Sequence, residues 1–254
     1  MSGNRRFIAW VLAICLPSIA FVVATNTVAG TWERVRTQPK KRTLRVTGSA
    51  TMRIVSDLIE WDAQVTTTAT GQSESAQALS TQIAKVSKYL KDKGISEVEI
   101  RVSAVHSREI VETRYVTEGE RSFNQRVHQG WSSKQSISVR STNIDLVERV
   151  SREVTELLAE GISISSNAPL YHYTKLDELK IDMLAKASEN ARVRAENIVD
   201  SGGGGKLGDL WNADMGIINI NPANSSATSW EGNNDKTSYE KDIITIVHLT
   251  FELP

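Results

Sequence analysis

The sequence predicts an α+β domain in which helices pack on one face of a mainly antiparallel sheet. Segments with the two-residue period of half-buried strands alternate with two segments of helical period, in the order strand, helix, strand, strand, helix, strand. A hairpin-like join in the middle of this order is typical of a split βαβ repeat, βαββαβ. A long third helix and C-terminal strands follow it, and 254 residues suffice for a sizeable core.

Residues 42–70 open the predicted domain with strand signals on both sides of Gly48. We expect strands over residues 43–47 and 50–70, with the glycine as a break, bulge or turn between them. From residue 59 onward the residues alternate without a slip, as in a strand with one buried and one solvated face. The expected buried face comprises Ile59, Trp61, Ala63, Val65, Thr67 and Ala69.

Three carboxylates, Asp57, Glu60 and Asp62, lie near this strand. Paired carboxylates perform acid–base chemistry only where they converge in a cleft. Glu60 and Asp62 share the polar face of the strand, so we interpret them as a solvated surface rather than as a catalytic pair.

The first helix is predicted over residues 72–93, and Gly94 is suited to end it. Its apolar positions step by three and four residues, as on one face of an amphipathic helix. These positions are Ala76, Leu79, Ile83, Val86 and Leu90. A strand over residues 97–106 follows. The polar residues 111–129 then predict strand ends joined by a loop or hairpin around Gly119.

The second half of the repeat begins with a strand over residues 130–140. The next helix, residues 143–160, can be capped by Ser141 or Thr142, and a short strand follows from residue 162. The apolar face of this helix comprises Leu146, Val147, Val150, Val154, Leu157 and Leu158.

A long third helix is predicted over residues 174–201, with Thr174 and Asp177 as a start resembling a capping box. The expected apolar stripe comprises Leu176, Leu179, Met183, Ala187, Ala191, Ala195 and Ile198. Its three alanines would let a neighbouring element approach closely. The glycine run at residues 202–205 ends the helix.

The C-terminal part predicts a strand pair over residues 207–220, a polar loop over residues 221–238 and a last strand over residues 241–253. The last strand is apolar on both faces, which is typical of a strand that is central or covered on both sides.

The N-terminus predicts a transmembrane helix. Residues 7–24 carry no charge and are just long enough to span a bilayer, although a long signal peptide has a similar pattern. The possible cleavage sites are weak, so we favour a retained anchor over residues 1–30. A basic tether over residues 31–41 then leads to the folded domain, residues 42–254.

Charge counting leaves the orientation of the anchor open. Arg5 and Arg6 favour a cytoplasmic N-terminus, whereas five basic residues at positions 34–42 favour the opposite. The single cysteine, Cys15, lies in the anchor segment, so an intrachain disulfide is impossible.

Composition argues against several classes of function. Thirty basic residues balance thirty acidic ones, and no basic stripe is present, so we expect no nucleic-acid partner. The histidines at positions 106, 128, 172 and 248 lack the paired spacing of zinc ligands, and no nucleophile elbow occurs. Residues 201–206 follow a helix and lack the Ser or Thr of a phosphate-binding loop. We expect no cofactor, no metal and no catalytic residues.

Two features are candidates for an interface or a pocket. Tyr171, His172 and Tyr173 place two aromatic rings on one side of a strand end, although packing in the core would also explain them. Trp230 lies in a polar loop, where it could insert into a neighbour or fold back on its own domain.

Several short motifs occur in a characteristic order. They are VTGSA at residues 46–50, Ser56-Asp57 before a long alternating strand, YTKL at residues 173–176 opening an alanine-rich helix, and LGDL at residues 207–210. Their order and spacing resemble the SIMPL-domain family, which includes bacterial periplasmic immunogenic proteins and membrane-anchored relatives. The resemblance implies an extracytoplasmic α+β domain, often assembled into rings or larger oligomers, with no established catalytic residues and with proposed links to envelope and oxidative stress.

We therefore expect a non-enzymatic protein of the bacterial cell envelope that acts by oligomeric assembly or partner binding. The expected location is the inner membrane, crossed once, with the domain facing the periplasm or the cell exterior. We expect a homo-oligomer, and the residues do not identify a protein partner. The alternative is a periplasmic small-molecule or peptide-binding protein with a pocket near residues 171–173.

Overall fold

The structure is a computed structural model that describes residues 24–32, 42–118, 121–203 and 205–254. It confirms the α+β class, with antiparallel sheets and helices packed against them. The helices are α1 (24–32), α2 (Gln72–Asp92), α3 (Ile144–Glu153) and α4 (Leu176–Ser201). The strands are β1 (Arg42–Val55), β2 (Leu58–Ala69), β3 (Ile100–Val102), β4 (His106–Glu118), β5 (Arg121–Ser141), β6 (Ile164–Ser166), β7 (Leu170–His172), β8 (Leu210–Pro222) and β9 (Glu240–Leu253).

None of the helices in these ranges is long and apolar enough to cross a membrane. Residues 1–23 of the predicted anchor and residues 33–41 of the predicted tether lie outside the described residues.

The larger sheet has the strand order β3–β5–β2–β6, with β4 also paired to β5 and β7 also paired to β2. Helix α2 connects β2 to β3 and helix α3 connects β5 to β6, which is the order of a split βαβ repeat. The two helices pack on one face of β2 and β5. The predicted alternation of β2 holds, because Ile59, Trp61, Ala63 and Val65 are all buried in this core.

The smaller sheet has the order β1–β9–β8 and joins the first and last strands of the folded domain. Arg42 lies opposite Leu253 and Val55 lies opposite Glu240, so β1 and β9 pair along their whole length. Strand β9 is central, as its two apolar faces predicted. Helix α4 covers one face of this sheet with its buried alanines, Ala187, Ala191 and Ala195.

The expected break at Gly48 is wrong. Gly48 lies inside β1 opposite Val247, and the chain breaks instead at Ser56 and Asp57, between β1 and β2. The glycine is needed because α4 passes directly over it. A Cβ at position 48 would lie 2.2 Å from the carbonyl oxygen of Ala187.

Helix α4 begins later than predicted and has no capping box. Lys175 is its N-cap residue and makes no side-chain cap, while the Thr174 hydroxyl donates to an Asp57 carboxylate oxygen at 2.7 Å. At the other end of the predicted stripe, Ile198 is half exposed and Val199 is buried instead.

Other boundaries also differ from the prediction. The predicted second helix divides into α3 and a 3₁₀ helix, Val154–Glu160, and Asn143 caps α3 rather than Ser141 or Thr142. The hairpin strands β4 and β5 extend much further than the strand predicted over residues 130–140. Residues 210–222 form one strand, β8, rather than a pair.

An ion pair ties the small sheet together near its end. The Arg53 guanidinium donates to both carboxylate oxygens of Asp242, at 2.9 and 3.0 Å, and the Asn224 amide donates to the same carboxylate. The hydrogen bond from Arg53 lowers the pKa of Asp242. A lowered carboxylate pKa stabilises the fold above the ordinary aspartate range, and this stability is lost as the pH falls through the lowered value.

We therefore expect Arg53→Met to lower the urea midpoint at neutral pH and to differ less from the wild type in acid, once Asp242 is protonated. Arg45→Met is the matched control, because Arg45 and Asp214 are both more than half exposed and their atoms are 3.5 Å apart. Equal midpoints for the two variants at neutral pH would contradict a structural role for the Arg53–Asp242 pair.

Candidate functional site

The two sheets meet where β1 leads into β2. Backbone hydrogen bonds close this junction: the Ser56 amide donates to Tyr239, the Asp57 amide donates to His172, and the Tyr171 amide donates to Lys236. The junction therefore brings strand β7, the loop before β9 and the start of α4 together.

A cavity of about 110 Å³ lies at this junction. Its walls include the three residues that the sequence predicted near a pocket, Tyr171, His172 and Tyr173. The other lining residues are Ile54, Leu176, Ile220, Asn234, Asp235, Lys236 and Lys241. The fourth predicted residue, Trp230, is 91% exposed on the loop between β8 and β9 and does not line the cavity.

Lys241 is the most unusual residue of this cavity, because its side chain is buried. The ammonium donates to the backbone carbonyls of Tyr171, at 2.8 Å, and of Asp235, at 2.5 Å. It forms no salt bridge within the described ranges. Burial lowers the pKa of Lys241, and the nearby Asp235 charge partly opposes that shift. An ammonium has three donors, so one N–H remains beyond these two bonds.

The Asp235 carboxylate is engaged elsewhere. It accepts from the Thr237 amide and hydroxyl, at 3.0 and 2.7 Å, and from the Ser238 amide. Burial by itself would raise the pKa of Asp235, but these hydrogen bonds, together with the nearby Lys241 charge, lower it. The loop before β9 is thereby ordered, and it presents the Asp235 carbonyl to Lys241.

The neighbouring aromatic and histidine side chains have distinct roles. The Tyr171 hydroxyl donates to Glu148 on α3, and burial followed by this bond raises the pKa of Tyr171 to about 12. His172 Nε2 lies 3.4 Å from a Glu60 carboxylate oxygen, but within the described part of the chain it has no hydrogen-bond partner and almost no solvent contact. Tyr171 thus links the cavity wall to α3, while His172 has a buried nitrogen without a hydrogen-bond partner among the described residues.

The three carboxylates near β2, Asp57, Glu60 and Asp62, do not converge on one cleft. Asp57 accepts from the amide and hydroxyl of Thr174, Glu60 lies beside His172, and Asp62 accepts from Asn167. Across residues 24–32, 42–118, 121–203 and 205–254, no group of histidine, cysteine, aspartate and glutamate residues is arranged to hold a metal ion.

A second candidate site is the outer part of the β4–β5 hairpin. Strand β5 pairs with β2 only from Trp131 onward, so in the described ranges residues 111–118 and 121–128 pair only with each other. We refer to these two segments as the arm. The arm starts at a bulge where Gly130, at φ +131°, lies against the Ala69 carbonyl at the end of β2.

The arm exposes apolar side chains on both faces. Tyr115 is 72% exposed on one face, and Phe123 is 45% exposed on the other, opposite Val116. Val127 is on the same face as Phe123, so that face carries a small apolar patch.

The SIMPL family model matches residues 44–246, from β1 into β9. The chain belongs to the SIMPL family. The family is described as a protein of unknown function (DUF541), and no curated protein matches the chain. The matched residues of this SIMPL chain include both the junction cavity and the arm.

Sequence reasoning missed Lys241 and the loop residues beside it. One signal was available: Lys241 is two residues before Ile243, in phase with the buried residues of β9, so the period of two places it on the covered face. The other cavity residues could not be predicted in this way, because Tyr171 and Lys241 are far apart in the sequence.

Proposed function

We propose that this SIMPL chain is a non-enzymatic protein of the bacterial cell envelope that acts by assembling with copies of itself. In this proposal residues 1–30 hold it in the inner membrane by a single transmembrane helix, and the domain faces the periplasm. The uncharged run at residues 7–24 supports the anchor, and retention of the chain in alkali-washed bacterial membranes tests it. A role in envelope or oxidative stress rests on the family resemblance alone.

The observation that carries the assembly proposal is the arm. An isolated two-stranded ribbon is marginally stable in water, because it has no third strand or helix to cover it. The arm also presents Tyr115 and Phe123 to solvent, and no described strand pairs with the outer edge of its β4 segment. Exposed strand edges and aromatic residues are features of surfaces that pair with another chain.

We expect light scattering of the full chain in mild detergent to give a mass of several copies. The double variant Tyr115→Ser and Phe123→Ser should shift that mass toward one copy at the same protein concentration. Val98→Ser with Ile181→Ser is the control, because these side chains are at least as exposed as Tyr115 and Phe123 but lie outside the arm.

Two results would count against this proposal. A wild-type mass of one copy at high concentration would contradict assembly itself. A mass that falls equally in the arm variant and in the control would place the contact elsewhere.

The junction cavity supports a second function, the binding of a small molecule or peptide in the periplasm. The supporting observation is a buried lysine without a salt bridge in the described ranges, on a cavity that His172 also lines. Buried polar groups without partners are uncommon in folded proteins, and ligand sites are one place where they occur.

A further inference from the structure

We propose that the junction cavity binds a small monocarboxylate, with the Lys241 ammonium as its charge partner. This inference rests on the second proposed function, ligand binding at the junction, and assigns the chemical class of the ligand. It is independent of assembly through the arm.

The charge of the site favours an anion. Lys241 is 3% exposed and, among the residues that the structure describes, donates only to two neutral carbonyls, so its buried positive charge has no direct counter-charge there. Burying an ammonium in this way is unfavourable unless a charged partner completes its hydrogen bonds. The negative charge of the Asp235 carboxylate attracts the Lys241 ammonium. This carboxylate accepts its hydrogen bonds from Thr237 and Ser238, however, and not from Lys241. The third N–H of Lys241 is therefore the donor available to a ligand oxygen.

The shape of the site limits the size and character of the rest of the ligand. The volume of about 110 Å³ is several times the roughly 10–15 Å³ that a cavity needs to hold one water molecule, so it has room for a small ligand. Ile54, Leu176 and Ile220 form an apolar wall of the cavity. A carboxylate on a short aliphatic chain matches this combination of one buried cation and an apolar wall.

A phosphate dianion fits less well. It carries up to two charges and more acceptor oxygens than one ammonium can satisfy, and the second nearby cation, Lys236, is exposed at the rim. A neutral amide of the same shape could accept the hydrogen bond but would leave the buried charge uncompensated.

The test uses the full chain in mild detergent with isotope-labelled isoleucine methyl groups, observed by NMR during titration with sodium propionate at constant ionic strength. We expect saturable shifts at Ile54 and Ile220, which line the cavity, and none at Ile83 and Ile137, which lie in the core of the larger sheet. Propionamide has the same shape without the charge and should bind at least about tenfold more weakly.

Two variants locate the charge partner. Lys241→Met should abolish the propionate shifts, whereas Lys236→Met, at the exposed rim, should change the affinity much less. If Lys241→Met does not fold, the comparison of propionate with propionamide on the wild type still decides the ligand class.

The possible failures are distinguishable. Equal affinities for propionate and propionamide, or shifts with inorganic phosphate alone, would overturn the monocarboxylate and leave ligand binding in place. No shift at Ile54 or Ile220 with propionate, propionamide, phosphate or propylammonium would overturn both the ligand class and the second proposed function.

Discussion

Replacing Gly48 by alanine is expected to lower the free energy of unfolding by about 3 kcal/mol, because the new Cβ has no space between β1 and α4. It would lie 2.2 Å from the Ala187 carbonyl oxygen and 2.6 Å from both the backbone nitrogen and the Cβ of Ala191. Two of these atoms belong to the helix backbone, so the clash cannot be relieved by turning a side chain. The helix would have to move away from the small sheet and expose its alanine face.

Urea unfolding followed by circular dichroism measures this effect. Gly71→Ala is the matched control: position 71 has an ordinary extended conformation, and its nearest neighbour would be the Glu74 side chain at 3.5 Å. Gly71 is the N-cap residue of α2, where alanine is less favourable than glycine, so we expect Gly71→Ala to lower stability by no more than about 1 kcal/mol, well below the loss at Gly48. If both variants were equally stable, the close packing of α4 on β1 would be wrong.

The second large effect is expected at Trp61. Its ring is 1% exposed in the centre of β2, and its indole N–H donates to the Ser166 hydroxyl at 3.0 Å. That hydroxyl in turn donates to the Ser151 carbonyl, so the indole is the start of a short chain of bonds from β2 to α3. Truncating a buried tryptophan to alanine leaves a cavity and typically lowers stability by about 3–5 kcal/mol.

Urea midpoints of Trp61→Ala and Trp230→Ala compare the same truncation in a buried and an exposed position. Trp230 is 91% exposed, so its loss should change stability by about 0.5 kcal/mol or less. If Trp61→Ala does not fold, Trp61→Phe keeps most of the buried ring and should give a smaller, measurable loss. A Trp61 variant as stable as the Trp230 variant would contradict the position of Trp61 in the core.

The helices and strands that were predicted correctly are those whose structure depends on residues close to each other in the sequence. The alternation of β2 and the three-and-four spacing of α2 follow from which residues face one local surface. The alanines of α4 predicted a close neighbour correctly, although the sequence did not identify it as β1.

The features missed depend on residues far apart in the chain. Strand β1 finds its partner β9 about two hundred residues later, so no local period predicts the smaller sheet. The same separation explains the error at Gly48, which resembles a strand break unless the helix above it is known. It also explains the start of α4, where Asp57 binds Thr174 from a different part of the chain.

The candidate sites were partly predictable for the same reason. Tyr171, His172 and Tyr173 are adjacent in the sequence and were predicted as a possible interface or pocket, and in the structure they line the cavity. Lys241 lies seventy positions from Tyr171. Its hydrogen bond to the Tyr171 carbonyl forms only because the fold brings the two residues together at the junction, so the sequence does not predict it. The sequence predicted strand ends joined by a loop or hairpin around Gly119, but how far the arm extends beyond the sheet depends on where β2 ends, at Ala69.

Assembly through the arm can be tested directly in cells by photo-crosslinking. A benzophenone amino acid at position 123 of the full chain replaces Phe123 in the arm, and the same group at the exposed Thr81 on α2 is the control. Self-assembly through the arm predicts a light-dependent product at twice the mass of the chain, composed of two copies, from position 123 and not from position 81. No product from position 123, or products that contain only other proteins, would contradict it.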